Sequence, residues 1–347
     1  MRPVAIANPP NPWSTTAVEY LESSPPAELQ IFEDHSREIL AQNDSPDVGF
    51  RYSVNPYRGC MHGCAYCYAR PSHEYLSFGA GTDFDRKIVV KPHAAALLQR
   101  AFDRPSWRGE LVVFSGNTDC YQPVEASYGL TRACLQVCAA YQNPVHVITK
   151  SALIERDIDV LQELNARARV GVSISIPFWN AEHARAIEPY VPTPARRIKT
   201  VARLVSAGIR VTVNVAPVIP GLSDQDIGAI LQAAHDAGAQ SATLIMLRLP
   251  GSVKQVFEER LRAALPLRAE RVLARTREMR GGKLSDPRFG SRHTGEGVYA
   301  ESVAQLFQKT AARLGIKTHG HGSVHDEAPS TFRRPARGGQ LDLFTTR

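Results

Sequence analysis

Three cysteines lie close together in the first quarter of the chain. They are Cys60, Cys64 and Cys67, and Gly59 and Gly63 stand directly before two of them. Glycine tolerates the backbone angles of tight turns, so this loop can fold three thiolates around one metal centre. Thiolates suit iron–sulfur clusters or zinc. A structural zinc site usually has four ligands in paired halves, and no second pair follows at a suitable distance.

With three cysteines and no fourth, one iron of a cubane cluster is left open. The C-x3-C-x2-C spacing, with the aromatic Tyr66 before the last cysteine, resembles the hallmark of the radical S-adenosylmethionine (SAM) superfamily. The resemblance implies a [4Fe–4S] cluster that chelates the methionine part of SAM and cleaves it to a 5′-deoxyadenosyl radical. It also implies an external electron donor, such as flavodoxin or ferredoxin, and an adenine contact next to Tyr66. His62, inside the loop, is expected to face solvent.

The elements around the loop alternate between strand and helix. Short β-branched runs occur at 51–54, 111–114, 145–149, 170–176, 210–215 and 242–247, and helical patterns lie between them. Such alternation predicts parallel strands with right-handed crossovers. Six such units fit an open doubly wound sheet or an incomplete (β/α)6 TIM-like barrel, and we favour the barrel. In both folds, ligands bind at the carboxyl ends of the strands.

Composition divides the chain into four parts. Residues 1–48 are rich in Pro, Ser and Asn and predict a loosely structured N-terminal arm, with one helical patch at 28–40. Residues 49–255 form the predicted barrel, and 256–317 a helical C-terminal extension. Residues 318–347 are mainly Gly, His, Pro and Arg, which predicts a flexible tail. His319, His321 and His325 in this part are expected to be a mobile tract without metal geometry.

Polar residues follow several of the predicted strands. By the resemblance, Asn117, Thr118 and Asp119 are candidates for binding the amino group of SAM. Lys150, after the third strand, is a candidate for its carboxylate. Further candidates are Ser173 and Ser175 for the ribose or carboxylate, and Ile219 for an apolar adenine contact. For the two serines, small packing residues on the strand remain an open alternative.

Several short motifs resemble the spore photoproduct lyase-related group, also labelled DNA repair photolyase-like. They are Thr-Asp-x-Tyr-Gln-Pro at 118–123, Ile-Thr-Lys-Ser at 148–151, Glu-Pro at 188–189 and Pro-Val-Ile-Pro-Gly at 217–221. In that pattern the residue at position 120 is usually proline, whereas here it is Cys120. The hydrogen-donating cysteine of the lyase would align nearer Gly116, so the resemblance does not imply thymine-dimer reversal. Cys120 is a hypothetical hydrogen-atom donor. Cys134 and Cys138 lie four residues apart, which predicts small core residues of a helix.

The charge and the C-terminal residues point to nucleic acid. The net charge of +7 favours acidic partners, although an arginine-rich solvated surface explains it equally well. Near the C-terminus, Gln340, Leu341, Leu343 and Phe344 resemble the peptide by which bacterial repair proteins bind the sliding clamp. No apolar segment approaches the roughly 20 residues of a membrane helix. The N-terminal residues lack the apolar core of a secretory signal, so we expect a cytoplasmic protein.

Together these features predict a radical SAM enzyme, lyase-like or of other radical chemistry, that acts on DNA in repair. One alternative is the same chemistry on RNA, protein or a small metabolite. The other is a non-catalytic scaffold associated with DNA, whose cysteines hold a structural metal.

Overall fold

The computed structural model describes residues 28–319 and 329–335. Its strands, in chain order, are β1 (Gln30–Glu33), β2 (Leu40–Gln42), β3 (Tyr52–Val54), β4 (Tyr57–Arg58), β5 (Lys87–Val90), β6 (Val112–Phe114), β7 (Val145–Thr149), β8 (Val170–Ser175), β9 (Arg210–Val218), β10 (Ser241–Met246) and β11 (Lys317–Thr318). All six predicted strands are present, as β3 and β6 to β10. The prediction missed β4, β5 and β11.

The main sheet has eight strands in the order β11-β10-β9-β8-β7-β6-β3-β2. All neighbours in it are parallel except β2, which runs antiparallel to β3. The six predicted strands therefore lie side by side in chain order. A smaller sheet, β1-β5-β4, lies outside this order. The predicted α/β class with a mostly parallel sheet is confirmed.

Helices connect the strands and extend the chain beyond the last crossover. They are α1 (Thr82–Arg86), α2 (Ala94–Asp103), α3 (Glu125–Tyr128), α4 (Leu130–Ala140), α5 (Ile158–Asn165), α6 (Ala181–Ile187), α7 (Pro194–Ser206), α8 (Ile227–Asp236), α9 (Val253–Ala264), α10 (Pro266–Glu278), α11 (Ser291–Thr294) and α12 (Gly297–Arg313). Short 3-10 helices span Arg70–Leu76, Ala152–Asp157 and Asp224–Asp226. No helix among the described residues combines the length and the hydropathy that crossing a membrane requires.

The two faces of the main sheet differ in polarity. On β8, Val172 and Ile174 are buried in the large apolar core with side chains of the surrounding helices. Successive strand residues point to opposite faces, so Ser173 and Ser175 lie on the other face. There Ser173 Oγ lies 2.8 Å from His146 Nε2. A Cβ at Gly171 would lie 2.6 Å from Nδ1 of the same ring, so this position needs glycine.

The same polar face continues onto the next two strands. Thr243 donates to Asn214 Oδ1 at 2.7 Å, and the hydroxyls of Thr212 and Ser241 are 2.7 Å apart. These pairs satisfy buried polar groups that apolar neighbours would leave without a partner. The parallel strands have their carboxyl ends at the same edge of the sheet. The loops that carry the candidate site residues follow these ends, so they adjoin the polar face.

The described part of the N-terminal arm, residues 28–48, is more regular than predicted. The helical patch expected at 28–40 is wrong, since this segment contains strands β1 and β2. β1 pairs in parallel with β5, from Gln30 opposite Lys87, and β2 pairs with β3. Pairing with strands that are distant in sequence overrides the local helical pattern. The periodicity of residues within the segment does not reveal this pairing.

The predicted flexible tail is wrong for residues 329–335, which pack on the amino-terminal side of the main sheet. The Phe332 ring stacks on Tyr141, with centroids 6.1 Å apart, and contacts Phe102 edge-on at 5.9 Å. The backbone N–H of Arg333 donates to Tyr141 at 2.9 Å. A Cβ at Gly109 would lie 2.1 Å from Phe332, so glycine leaves the space for this aromatic side chain. Residues 329–335 are therefore docked, with Phe332 as their apolar anchor, although most of their neighbours in sequence are polar.

Replacing the anchor tests this arrangement. We expect Phe332→Ala to lower the free energy of unfolding by about 2 kcal/mol, because a half-buried aromatic side chain loses its packing. The measurement is urea denaturation of the full chain. Arg333→Ala is the control, since its side chain is exposed and its backbone bond survives. Equal stability of the two variants would contradict the docked segment.

Candidate active site

The three cysteines of the predicted cluster loop lie at the carboxyl edge of the main sheet, after β3. Gly59 and Gly63 have φ angles of 74° and 64°, which places both in the left-handed region. Between them the N–H of Gly63 donates to Cys60 at 3.2 Å, and the N–H of Cys67 donates to Cys64 at 3.3 Å. The loop therefore folds as successive tight turns, each of which begins at a cysteine.

The thiols of this loop are shielded from water. Cys60 and Cys64 expose 6% and 7% of their surface, and Cys67 is partly exposed. Burial raises the pKa of Cys60, and the charges of Asp119, Cys67 and Cys64 raise it further. Burial likewise raises the pKa of Cys64, with Glu188 as the next contribution and Cys67 as a smaller one. The thiols thus lie within electrostatic reach of one another.

This donor set fits an iron–sulfur cluster. In a cubane each thiolate binds a different iron, so the three sulfur atoms surround the cluster without meeting at one ion. No group of three or more His, Cys, Asp or Glu side chains among the described residues is arranged to hold a single metal ion. A cluster would also supply the positive charge that keeps buried thiols ionised, which their raised pKa values otherwise oppose.

A buried arginine, Arg70, is hydrogen-bonded to the backbone of the cysteine loop. Arg70 is fully buried, and its Nε and Nη2 donate to the carbonyl of Cys64 at 3.0 and 2.8 Å. Its Nη1 donates to the carbonyls of Ala80 and Gly81, and Nη2 also contacts Asp85 at 2.9 Å. This one guanidinium therefore satisfies carbonyls that no regular hydrogen-bond ladder reaches.

Two further side chains fix the turns of the loop. Gln122, fully buried, donates to the carbonyl of Gly59 at 2.9 Å and accepts from the N–H of Met61 at 2.9 Å. Arg260 Nη1 donates to the carbonyl of Gly63 at 3.1 Å. These contacts come from the segment after β6 and from α9, so the loop is held by distant parts of the chain.

His62 does not face solvent, and that prediction is wrong. It exposes only 2% of its surface, and its Nδ1 lies 3.4 Å from Asp119 Oδ2. The contact is an ion-pair distance without hydrogen-bond alignment, since Nδ1 makes no hydrogen bond. The His62 ring points inward, because Asp119 in the loop after β6 lies beside it.

Asp119 is saturated by contacts within the protein. Its Oδ1 accepts from the hydroxyl of Thr149 at 2.7 Å and the N–H of Tyr121 at 2.9 Å, and its Oδ2 accepts from the N–H of Lys150 at 2.8 Å. Burial acts to raise the pKa of Asp119, but the His62 ring and these hydrogen bonds together lower it to about 2. The carboxylate joins the loop after β6 to the end of β7.

The other candidates after β6 also contact the cysteine loop. The hydroxyl of Thr118 donates to the carbonyl of Tyr57 at 2.7 Å. The N–H of Asn117 donates to Asn55 Oδ1 at 2.9 Å. Both therefore position the segment that leads into the cysteines, and the side chain of Asn117 is partly exposed at the same edge.

Tyr66 belongs to a buried charged network that the sequence did not reveal. Its hydroxyl donates to Glu188 Oε1, and Glu188 Oε2 accepts from Arg197 Nη2. All three side chains are buried. Arg197 also donates to the carbonyl of Ser175 at 2.9 Å. The network thus links the cysteine loop to the end of β8.

The remaining cofactor candidates converge on the same edge. Lys150 Nζ lies 5.8 Å from the centroid of the Tyr66 ring, and its charge reaches Cys64 and Cys67. Ile219, fully buried, belongs to one apolar cluster with Tyr66 and Cys64. An ammonium group, buried thiols and an apolar wall therefore meet in one place.

Ser173 is farther than Ser175 from the place where Lys150, the thiols and Ile219 meet. It lies two residues before Ser175, at a buried position bonded to His146. That contact agrees with the packing alternative for Ser173. Ser175 is also buried, and its carbonyl is held by Arg197 at the end of β8.

The other cysteines lie within the large apolar core. Cys120 exposes 1% of its surface, and burial raises the pKa of its thiol. Its N–H donates to Ser115 Oγ at 2.8 Å and its carbonyl accepts from Thr131 at 2.6 Å. Cys134 and Cys138 are fully buried on α4, as the pattern predicted.

Sequence analysis missed the residues that hold the site together. Arg70, Glu188, Arg197 and Gln122 are charged or polar, and a sequence alone gives no sign that they are buried. Two weak signals existed, because Gln122 and Glu188 lie in the short motifs noted at 118–123 and 188–189. Those motifs indicate a resemblance to a family, but they do not specify which groups Gln122 and Glu188 contact.

Comparison with known families agrees with this geometry. The family model described as the radical SAM superfamily matches residues 54–234, which include the cysteine loop and strands β4 to β9. The chain belongs to the radical SAM superfamily. It is therefore a radical SAM enzyme, whose cofactors are a [4Fe–4S] cluster and SAM.

Relatives of this radical SAM enzyme occur in distant organisms. Uncharacterised proteins of Mycobacterium bovis and Mycobacterium tuberculosis are 39% identical over 263 residues, which is 75% of this chain and 74% of each relative. An uncharacterised protein of Methanocaldococcus jannaschii is 28% identical over 182 residues, covering 52% of this chain and 66% of the relative.

Among solved structures, spore photoproduct lyase has a similar fold. One of its mutant structures gives a TM-score of 0.62 at 16% identity and covers 88% of both chains. The lyase complexed with dinucleoside spore photoproduct gives 0.61 at 16% identity, over 84% of this chain and 81% of that chain. At this identity the likeness describes the fold.

The buried network gives a test that needs no cofactor. We expect Glu188→Ala to lower the free energy of unfolding by about 3 kcal/mol, because it leaves Arg197 buried without its carboxylate. Tyr66→Phe removes one hydrogen bond and keeps the charge pair, so we expect about 1 kcal/mol. Urea denaturation of the cofactor-free protein measures both, and a larger loss for Tyr66→Phe would contradict the network.

Proposed function

We propose that Cys60, Cys64 and Cys67 ligate the [4Fe–4S] cluster and that this radical SAM enzyme acts on DNA in repair. The observation that carries the ligand assignment is the loop itself, with three shielded thiols on successive turns at the carboxyl edge of the sheet. When bound, the cluster supplies the electron that cleaves SAM and so generates the 5′-deoxyadenosyl radical.

The surrounding side chains have separate tasks in this proposal. Lys150 holds the carboxylate of SAM, for which an ammonium group beside the thiols is suited. Tyr66 and Ile219 offer the adenine an apolar wall. Ser175 and Asn117 offer polar contacts, and Thr118 and Asp119 act mainly by positioning the loops, since their oxygen atoms are used within the protein.

The assignment to DNA repair has two supports. The chain carries a net charge of +7, which favours a polyanionic substrate. The lyase whose fold it shares was solved with a dinucleoside spore photoproduct. We further propose that the six strand–helix units curve into a (β/α)6 partial barrel, since that curvature would enclose the polar face of the sheet.

Four predictions go with this function. Cys120 returns a hydrogen atom to a radical, which requires a substrate or a moving loop to reach its buried thiol. An external carrier such as flavodoxin or ferredoxin supplies the electron, and the protein works in the cytoplasm. Sliding-clamp binding through Gln340, Leu341, Leu343 and Phe344 concerns residues outside the described part of the chain, so it stays a prediction from sequence.

Replacing single cysteines tests the cluster assignment. After anaerobic reconstitution, we expect Cys64→Ala to lose bound iron and sulfide and to stop forming 5′-deoxyadenosine from SAM with dithionite. Cys134→Ala is the matched control, because this buried thiol lies on α4 in the core and we expect it to retain the cluster. Zinc in place of iron, or equal cluster content in both variants, would contradict the assignment.

Binding assays test the substrate class. We expect the reconstituted enzyme to bind DNA with an affinity that falls linearly on a logarithmic salt scale, because phosphate contacts release counterions. RNA of the same sequence and an acidic peptide serve as comparisons. Preference for RNA, or DNA binding too weak to measure, would favour one of the other substrate classes.

A further inference from the structure

Arg248 is a cation that is paired with none of the described residues, and it lies at the edge that carries the site. It follows β10 by two residues, so it lies at the carboxyl end of the sheet with the cysteine loop and Lys150. Its side chain is partly buried, and its Nε is shielded from solvent without any hydrogen bond. No carboxylate of the described residues lies within ion-pair distance of it.

Neighbouring arginines show how different this is. Arg280 donates to the carbonyls of Leu247 and Ser291, each at 2.7 Å. Arg292 pairs with Asp47 at 2.6 Å. Each of these two arginines therefore has two nitrogen atoms bonded within the protein, although Nε of Arg280 is also without a partner. Arg248 differs in that none of its nitrogen atoms is bonded to a described residue. A guanidinium that is partly withdrawn from water without a partner loses hydration, and an anion bound to its remaining donors would compensate for that loss.

The local charge around Arg248 is positive. Burial lowers the pKa of Arg248, and the charge of Arg292 lowers it further, while Tyr68 and Asp47 act in the other direction. Arg280 is also within electrostatic reach of Arg248. The carboxylates nearest these three guanidinium groups are already paired: Asp47 with Arg292, and Asp286 and Glu296, which act on Arg280, with Arg288. An anion placed here would relieve the repulsion among the cations.

Exposed aromatic side chains flank the same cations. Tyr68 directly follows Cys67, exposes 52% of its surface and donates to the carbonyl of Gly116 at 3.0 Å. Phe289 is 60% exposed, and the guanidinium of Arg292 lies 4.4 Å from its ring centroid. Aromatic faces beside arginines are the usual combination in sites that stack bases and hold phosphates.

We propose that Arg248 binds a backbone phosphate of the nucleic-acid substrate and so places the adjoining nucleotide beside the cysteine loop. The inference rests on the proposed function, because it assumes a nucleic-acid substrate. A guanidinium presents two parallel donors to the oxygen atoms of a phosphate. Arg292 adds positive charge without giving up Asp47, and Tyr68 lines the side toward the cysteines.

A carboxylate would satisfy the same donors, and SAM itself carries one. The two sources separate experimentally, because the substrate phosphate matters for DNA binding and the SAM carboxylate matters for SAM cleavage without DNA. The variants are Arg248→Gln, which removes charge and donors, and Arg248→Lys, which keeps the charge. Arg313→Gln is the matched control, because it removes an equal charge from the exposed end of α12.

The experiment uses the full chain, reconstituted with cluster and SAM, and a fluorescent DNA oligonucleotide at several salt concentrations. We expect Arg248→Gln to weaken DNA binding about tenfold and to reduce the salt slope by about one. Arg248→Lys should keep the slope with part of the affinity, and Arg313→Gln should match the wild type. Production of 5′-deoxyadenosine without DNA should be unchanged in all variants. Thermal unfolding verifies that each variant is folded.

Two results would overturn this inference and leave the proposed function unaffected. One is wild-type DNA affinity in a folded Arg248→Gln. The other is loss of DNA-free SAM cleavage in that variant with unchanged DNA affinity, which would assign Arg248 to the carboxylate of SAM. Failure of the wild type to bind DNA is a different result, because it overturns the proposed substrate class and this inference with it.

Discussion

The site depends on hydrogen bonds from side chains to the backbone of an irregular loop. A loop that makes tight turns in the interior has no ladder to satisfy its carbonyls, and unpaired carbonyls in that place would be costly. Arg70 binds the carbonyl of Cys64, Arg260 that of Gly63, and Gln122 that of Gly59. Each anchor holds the backbone next to a cysteine, so the thiols are directed before any cofactor arrives.

The anchors come from distant parts of the chain, and this ties the site to the fold. Asp119 connects the loop after β6 to the end of β7, and it contacts His62 between the cysteines. Glu188 and Arg197 connect Tyr66 to the end of β8. A shift of one strand end would therefore move the cysteine loop with it. Such mutual support is how a protein keeps reacting groups in place.

The sequence predicted the strands and the cysteine motif because both are local patterns. Runs such as Val145–Thr149 show their β-branched residues directly, and the cysteines lie within a few residues of one another. The burial of His62 was not predictable, because its partner Asp119 is close only after β3 and β6 have paired. β1 was missed since all four of its residues are exposed. Phe332 was overlooked among polar neighbours, although its ring contacts Tyr141 and Phe102.

The docked segment lies on the side of the main sheet where the parallel strands begin. Ser330 and Thr331 bond to the carbonyls of Gly109 and Gln142, which precede β6 and β7. These residues lie at the entry of the parallel strands, whereas the cysteine loop lies at their exit. The docked segment and the cysteine loop are therefore on opposite sides of the sheet. A partner protein that bound the docked segment could tether the enzyme and leave the approach to the cysteines clear.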